Sequence, residues 1–302
     1  MKLKILKTTL MCICLFVCVG AFYGSICMFI DPTGKLLQME NLLPYFKVLP
    51  LSDILFTNYI FSGISLFIVN GLTNLLAVIL LLKNKKSGII LGTIFGFTLM
   101  LWITIQFIIL PKNALSISFF IIGILQMLIG YISYIYYTQN EFSFNKDAYT
   151  NIGKDKKILV VYFSRKGYTK KVAYEEANKL KADILELQTT EKTEGDLGFW
   201  WCGRFNMHKW RMPLKKINKD ISAYQKIIIV SPIWVFTICA PIREFCYKYK
   251  NDINEVEYIF THFMNAKFKN VADEVDNILN KKRKKYTSVV IRLGKVKNKK
   301  NN

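Results

Sequence analysis

Four long apolar segments in the first half of this 302-residue chain limit its possible folds more than any other feature. They cover approximately residues 6–30, 54–82, 87–110 and 114–138. A helix that crosses a membrane needs about 20 mostly apolar residues, and each segment reaches that length. Core helices of soluble proteins are shorter and keep a polar face. The sequence therefore predicts an α-helical transmembrane domain with four spans over residues 1–138.

The charged residues are distributed very unevenly along the chain. Residues 1–138 contain nine basic and three acidic side chains, and residues 139–302 contain the other 51 charged side chains. Three lysines lie within the first seven residues and three more lie between the second and third spans, whereas the link between the first two spans is balanced. Because short cytoplasmic loops are enriched in Lys and Arg, this pattern predicts a multi-pass protein of the cell membrane. Both termini and everything after the fourth span are expected in the cytoplasm.

The second half of the sequence has the pattern of an α/β domain. A polar segment without periodicity, residues 139–155, is interpreted as a linker. Apolar strand patterns then alternate with amphipathic helix patterns, which is typical of a parallel sheet covered by helices on both faces. The strands are expected at 156–163, 183–188, 226–234, 256–263 and 286–293. The prediction is a five-stranded parallel doubly wound sheet over residues 156–293, followed by a basic tail over residues 294–302.

The last 22 residues, which include the basic tail, contribute +10 of the net charge of +21. The last 22 residues contain ten Lys or Arg and no acidic residue. Such tails bind nucleic acid or anionic lipid, and a protein with membrane spans favours the lipid surface. The sequence contains no nucleic-acid-binding motif beyond this charge, so nucleic acid is not expected as a partner. No spacing of Cys or His suggests a metal site, and none of the Cys has a recognisable base partner, so no catalytic residue is predicted.

The segment "SRKGYT", residues 164–169, separates the first buried strand from a helix. Ser164 and Thr169 supply hydroxyls, and Gly167 lets the backbone turn tightly and approach a ligand. The helix that follows presents unpaired amides and the positive end of its dipole, so the loop has the composition of a phosphate cradle. A polar turn that merely caps the helix is the alternative, since neither GxxxxGK nor GxGxxG is present.

Three stretches of this half resemble flavodoxins. "KILVVYFSRKGYTKKVA" is similar to the start of a flavodoxin, and "YQKIIIVSPIWVFTICAPIREF" is similar to the third strand and second flavin loop of that family. "GFWWCGRFNMHKWRMPLKK" resembles an insertion found in a flavodoxin-like branch. The resemblance covers about residues 156–293 and implies a flavodoxin-like fold that binds FMN.

The resemblance also implies which loops would hold the cofactor. The ribityl phosphate would be wrapped by Ser164, Arg165, Lys166, Gly167, Tyr168 and Thr169. The isoalloxazine ring would be flanked by Pro232, Ile233, Trp234, Val235 and Phe236. A third loop would be formed by Thr261, His262, Phe263, Met264 and Asn265.

Several residues depart from the family pattern. Lys166 and Tyr168 replace Thr and Asn, which are common there, and Val235-Phe236 replaces a small residue and Gly. Phe236 could tighten the flavin pocket or block it. The insertion over 189–225, rich in aromatic residues, could pack on its own domain, cover the flavin or meet a redox partner.

The sequence favours a membrane-anchored electron carrier or reductase that uses FMN at the cytoplasmic face, with a donor and an acceptor that the sequence does not identify. The alternative is a membrane-anchored binding or scaffold module whose flavin site has degenerated. A small-molecule transporter with a regulatory domain ranks third, because the interiors of the spans contain no Asp, Glu, Lys, Arg or His.

Overall fold

The computed structural model describes residues 2–301. The chain forms two units, Met1–Glu141 and Phe142–Asn302. The long helices of the first unit are α1 (Lys2–Ile30), α2 (Ile60–Leu82), α3 (Lys86–Ile109) and α4 (Ala114–Glu141). Short helical turns at Lys35–Leu37, Glu40–Val48 and Ser52–Leu55 lie between α1 and α2. All four are long and apolar enough to cross a membrane, as the sequence predicted. A π-helical stretch, Phe67–Leu72, lies inside α2.

Polar side chains join the helices of the first unit. The Nε2 of Gln126 in α4 donates to the Oδ1 of Asn74 in α2 at 2.9 Å and to the carbonyl oxygen of Gly92 in α3 at 3.0 Å. Hydrogen bonds of this kind stabilise helix association where water is absent. A Cβ at Gly96 would lie 2.6 Å from the backbone nitrogen of Met127, so α3 and α4 approach each other closely.

The second unit is an α/β sandwich built around one sheet. Its strands are β1 (Asp155–Tyr162), β2 (Ala182–Glu186), β3 (Lys226–Trp234), β4 (Thr237–Ile238), β5 (Glu255–His262), β6 (Lys285–Arg292) and β7 (Lys295–Asn301). Its helices are α5 (Tyr168–Leu180), α6 (Gly195–Met207), α7 (Ala240–Tyr249) and α8 (Lys269–Leu279). The sheet order is β2-β1-β3-β5-β6-β7, with β4 paired to β3. The order reverses between β1 and β3, which is where doubly wound sheets bind their ligands.

The prediction of a sheet with only five strands was wrong, because the sheet has seven. The five expected parallel strands are present, and β4 and β7 add antiparallel pairings. The supposed tail turns back at Leu293 and Gly294, whose φ angles are 50° and 82°, and pairs with β6 as β7. Two consecutive positive φ angles are the geometry of a two-residue hairpin turn, and Leu is a poor signal for one. The lysines of β7 lie on an edge strand, where charge discourages pairing with another chain.

The strands bury both faces of the sheet, as their uninterrupted apolar runs predicted. Alternate residues of each strand point to opposite faces. Leu159 and Ile227 pack in one cluster with residues of α7 and α8, and Val160 and Ile228 pack in another with residues of α5.

Residues 142–154, most of the segment interpreted as a linker, have no regular secondary structure but pack on the α/β unit. Phe144 stacks on Tyr149 and meets the edge of Tyr174 in α5, with ring centroids 4.8 Å apart in the second pair. Phe142 packs edge-on against Tyr168 at 4.7 Å. The aromatic residues within the segment therefore fix it to the α/β unit.

Candidate functional site

The three loops chosen from the sequence follow adjacent strands and meet at one edge of the sheet. Tyr162 at the end of β1 pairs with Val230 of β3, and Pro232 of β3 pairs with Thr261 of β5. The carboxyl ends of parallel strands share one edge, so the loops after β1, β3 and β5 are neighbours.

The loop after β1 has the backbone of an anion cradle. Gly167 has a φ of +85°, a conformation that strains any residue with a Cβ. The Oγ of Ser164 accepts the amide of Gly167 at 3.1 Å and closes the turn. Within residues 2–301, no side chain caps the amino end of α5. The first-turn amides of α5 therefore point out of the helix end without a helical partner, where they attract anions.

The hydroxyls of Thr169 and Tyr168 in this loop differ in their hydrogen bonding. The hydroxyls of Thr169 and Thr261 lie 2.8 Å apart in a buried hydrogen bond that ties the loop after β1 to the end of β5. The buried Oη of Tyr168 has no hydrogen-bond partner among the described residues. Burial also raises the pKa of Tyr168. An unpaired buried hydroxyl is unfavourable, and this one is shut off from solvent, so it is not part of the exposed surface of the loop.

The two cations of the loop point in different directions. The Nε of Arg165 donates to the carbonyl of Thr193 at 2.6 Å and its Nη2 donates to the carbonyl of Gly195 at 2.7 Å. The guanidinium also lies 5.4 Å from the ring centroid of Phe199. Arg165 therefore fixes the insertion, whereas Lys166 is exposed.

The loop after β3 is a hairpin turn made of two unusual residues. Val235 and Phe236 have φ angles of 46° and 60° and connect β3 to β4. The turn favours Asn and Gly, and a β-branched Val with positive φ is strained. Both side chains are exposed, Phe236 by 64%. Phe236 therefore does not fill the site with its own ring.

The residues before this turn are half-buried. Trp234 meets Phe163 edge-on, with ring centroids 5.6 Å apart and an interplanar angle of 89°. Ile233 and Trp234 both pack against the core. Pro232 is likewise half-buried. This part of the predicted ring-flanking loop therefore packs on the domain, and Val235 and Phe236 are its exposed apolar residues.

A buried ion pair that the sequence analysis missed supports the hairpin. Arg243 of α7, only 3% exposed, donates to the carboxylate of Glu274 in α8 at 2.6 Å and to the hydroxyl of Thr237 at 2.6 Å. The Thr237 hydroxyl in turn donates to Glu274 at 2.6 Å. Burial alone would raise the pKa of Glu274, but these hydrogen bonds and the Arg243 charge outweigh it and the pKa is lowered. No spacing in the sequence links these three residues.

The third loop is held from inside by His262. Its Nδ1 lies 2.6 Å from the carbonyl oxygen of Met264, which can only accept, so Nδ1 carries the proton. Its Nε2 lies within hydrogen-bonding distance of the hydroxyl of Ser288, which also contacts the carbonyl oxygen of Ala266 at 3.1 Å. Burial lowers the pKa of His262, which favours this neutral form. Both ring nitrogens are therefore engaged within the protein, and the loop presents exposed Phe263, Met264 and Asn265.

The cysteines of this unit are buried thiols. Burial raises the pKa of Cys202 to about 11 and that of Cys239 to about 12. Burial also raises the pKa of Cys246. Thiols rather than thiolates are present at neutral pH, so these residues lack the nucleophilic form.

Comparison with known proteins bears on this α/β unit. A family model described as Flavodoxin matches residues 157–302. These residues form a flavodoxin-like domain. The match agrees with the expected cofactor, FMN, and extends through β7, which the sequence analysis had left outside the domain. No curated protein matches the chain.

Several solved structures are similar to the flavodoxin-like domain. A flavoprotein from Lactobacillus acidophilus NCFM, solved in complex with FMN, is 22% identical; the match covers 44% of this chain and 91% of that one, with a TM-score of 0.35. A protein described as a flavoprotein from Bacteroides eggerthii DSM 20697 is 21% identical over 44% and 86% of the two chains, with a TM-score of 0.39. The Trp repressor binding protein from Bacillus subtilis is 14% identical over 45% and 88%, with a TM-score of 0.32. At these values the similarity is not a basis for assigning a shared activity.

The residues of the flavodoxin-like domain fit an aromatic ring that carries a phosphate. The loop after β1 offers the glycine turn and the uncapped helix end. The adjacent loops offer the exposed side chains of Val235, Phe236, Phe263 and Met264. Large apolar side chains exposed at a ligand-binding edge are typical of residues that a ligand covers.

Proposed function

We propose that the flavodoxin-like domain binds FMN and transfers electrons at the cytoplasmic face of a membrane that the four apolar helices span. The observation that carries the proposal is the meeting of an anion cradle at Gly167 with two apolar loops at the point where the sheet order reverses. The bound cofactor supplies the electron chemistry, and the protein supplies binding and tuning.

Different residues would bind the phosphate and the ring of FMN. The amides at the start of α5 and the exposed Lys166 would hold the phosphate. Val235 and Phe236 would cover one side of the ring, and Phe263 with Met264 would lie beside it. His262 positions the third loop through Met264 rather than meeting the ring. The electron donor and acceptor are proposed only as redox partners that reach this edge of the sheet.

The membrane part of the proposal is supported by the composition and length of the helices and by the charges of their links. All four helices have the length and apolarity needed to cross a bilayer. The lysine-rich ends of the first and third helices favour the cytoplasmic side, which puts residues 142–302 there too. The lysines of β7 would face anionic lipid or solvent.

The first test is the visible spectrum of the full chain purified in detergent. We expect flavin absorbance, or its appearance on titration with FMN. Gly167→Ala places a Cβ at a φ of +85° and 3.0 Å from the Phe142 ring, so the loop escapes strain by leaving the binding conformation. A cost of about 1–2 kcal/mol corresponds to affinity weakened by about 5–30-fold.

Gly153→Ala is the matched control, because Gly153 has a similar φ of +81° but its Cβ would come no closer than 3.6 Å to Lys156. It should lower stability without changing FMN affinity. Ser164→Asp, which adds a negative charge beside the phosphate, should weaken binding further. A colourless protein that takes up no FMN would contradict the proposal and favour the scaffold alternative.

A further inference from the structure

The insertion before β3 exposes an apolar surface around α6. On α6 the residues Gly198, Cys202, Phe205 and Asn206 are buried against the domain. The opposite side would carry polar residues in an ordinary surface helix. Here it carries large apolar ones. We call the exposed side chains Leu197, Phe199, Trp200, Met207 and Trp210 the aromatic face; they are 71%, 57%, 74%, 69% and 45% exposed.

The aromatic face is held in place by the domain. The Nδ2 of the buried Asn206 donates to the carbonyls of Trp234 and Ile238 at 3.0 and 2.9 Å, and its Oδ1 accepts the amide of Ala240 at 3.0 Å. Arg165 holds the amino end of the helix through Thr193 and Gly195. A rotation of α6 that turned this face inward would break all of these bonds, which argues against a lid that closes over the flavin.

Cations outnumber acidic residues around the aromatic face. Residues 189–216 contain six Lys or Arg and three acidic residues. Lys209 and Arg211 are paired with Glu274 and Glu244. Arg204, exposed beside the face, has its guanidinium 5.9 Å from the Trp201 ring and 5.8 Å from the Trp210 ring. Protein surfaces that lie in the interface of an anionic bilayer combine Trp, other large apolar side chains and cations. The aromatic face with Arg204 has this combination.

If the four apolar helices span a membrane, they tether the flavodoxin-like domain to that membrane. This inference therefore rests on the membrane part of the proposed function. A covalently attached domain meets the membrane surface at a high effective concentration, so a few inserting side chains are enough for stable contact. A soluble partner protein would have to bind this face without that advantage.

We propose that the aromatic face inserts into the headgroup region of the anionic membrane that holds the apolar helices, and so fixes how the flavodoxin-like domain lies on the bilayer. Trp200 and Met207 enter the interface, and Arg204 pairs with lipid phosphates. The orientation of the domain then depends on lipid charge as well as on the tether.

The test uses the full chain in lipid nanodiscs and the quenching of tryptophan fluorescence by phosphatidylglycerol with brominated acyl chains. The chain has five Trp, and Trp102 in α3 is the one within the apolar helices. In Trp102→Phe protein, brominated lipid should still quench the emission. Adding Trp200→Phe and Trp210→Phe should reduce that quenching about twofold, because these side chains reach the interface. Trp234→Phe, at a half-buried position beside Phe163, should not reduce it.

Quenching of Trp102 distinguishes a failure of the membrane part of the proposed function from a failure of the present inference. If Trp102 itself is not quenched, the membrane part of the proposed function is wrong. If Trp102 is quenched while Trp200 and Trp210 are not, only the present inference is wrong, whatever FMN absorbance the sample shows. Trp200 could instead be shielded to a degree that depends on protein concentration and not on brominated lipid. That result would also overturn the present inference and would indicate contact between copies of the chain. Arg204→Gln should weaken quenching in phosphatidylglycerol more than in phosphatidylcholine, and equal effects would refute the role given to Arg204.

Discussion

The hairpin turn Val235-Phe236 should be a site where stability is lost in favour of binding. Two consecutive residues with positive φ are unfavourable unless they are Gly, Asn or Asp, and each costs about 1–2 kcal/mol. Replacing the pair by Asn-Gly (Val235→Asn with Phe236→Gly) relieves this strain. The added Gly loses about 0.5–1 kcal/mol through the entropy of the unfolded chain.

The net effect is a gain of about 1–3 kcal/mol in the free energy of unfolding of the α/β unit. For a unit of this size, that gain corresponds to an increase in Tm of about 3–10 °C. The side chains removed are exposed by 46% and 64%, so little core packing is lost. The same change removes an apolar wall of the proposed flavin site, so FMN affinity should fall.

The assay combines thermal unfolding of the full chain in detergent, followed by near-UV circular dichroism, with FMN titration. The control is Leu293→Asn, which converts the other two-residue turn, Leu293-Gly294, to Asn-Gly. It should raise Tm and leave FMN affinity unchanged. A lower Tm for the Val235-Phe236 variant, or a higher Tm with unchanged FMN affinity, would refute the reasoning that the strained turn serves the ligand.

Three further predictions concern groups inside the flavodoxin-like domain. Glu274→Gln leaves the Arg243 guanidinium buried without its counter-charge and should lower the free energy of unfolding by about 3–5 kcal/mol at pH 7. Because the pKa of Glu274 is lowered from 4.5, the wild type loses this advantage as the pH falls below about 4.5. The urea midpoints of the two proteins should therefore converge below that pH and not above it. His262→Asn should make stability less dependent on pH below about 6.5. A histidine with a lowered pKa stabilises the fold above its unfolded pKa and loses that contribution as protonation begins. Parallel curves of Tm against pH for the variant and the wild type would contradict this. Removing residues 295–302 uncovers the edge of β6 and should raise aggregation measured by light scattering, whereas Lys297→Ser, which keeps the strand, should not.

Much of the architecture follows from sequence patterns that depend on burial. The four apolar helices and the five parallel strands each need a long or uninterrupted apolar run, and such runs are visible in one sequence. The meeting of the three loops at one edge also follows, because it depends only on strands being parallel and adjacent.

The features that could not be predicted depend on contacts between distant residues or on turns made by unsuitable residues. Neither Leu293 nor Val235 signals a hairpin, so β7 and β4 were missed. The charge of Arg165 suggested a phosphate ligand, but its partners are carbonyls of the insertion, about thirty positions away. His262 at a strand end looked available to the flavin, and only the position of Ser288 on the next strand shows that the ring is engaged.

The packing of Phe142 and Phe144 on the α/β unit determines how that unit can be isolated. A fragment that starts at residue 157, where the family match begins, would omit both aromatic side chains and the first residues of β1. It would leave Tyr168 and Tyr174 exposed on α5, and Gly167 would lose the ring beside it. A soluble fragment intended for spectroscopy should therefore begin at Phe142.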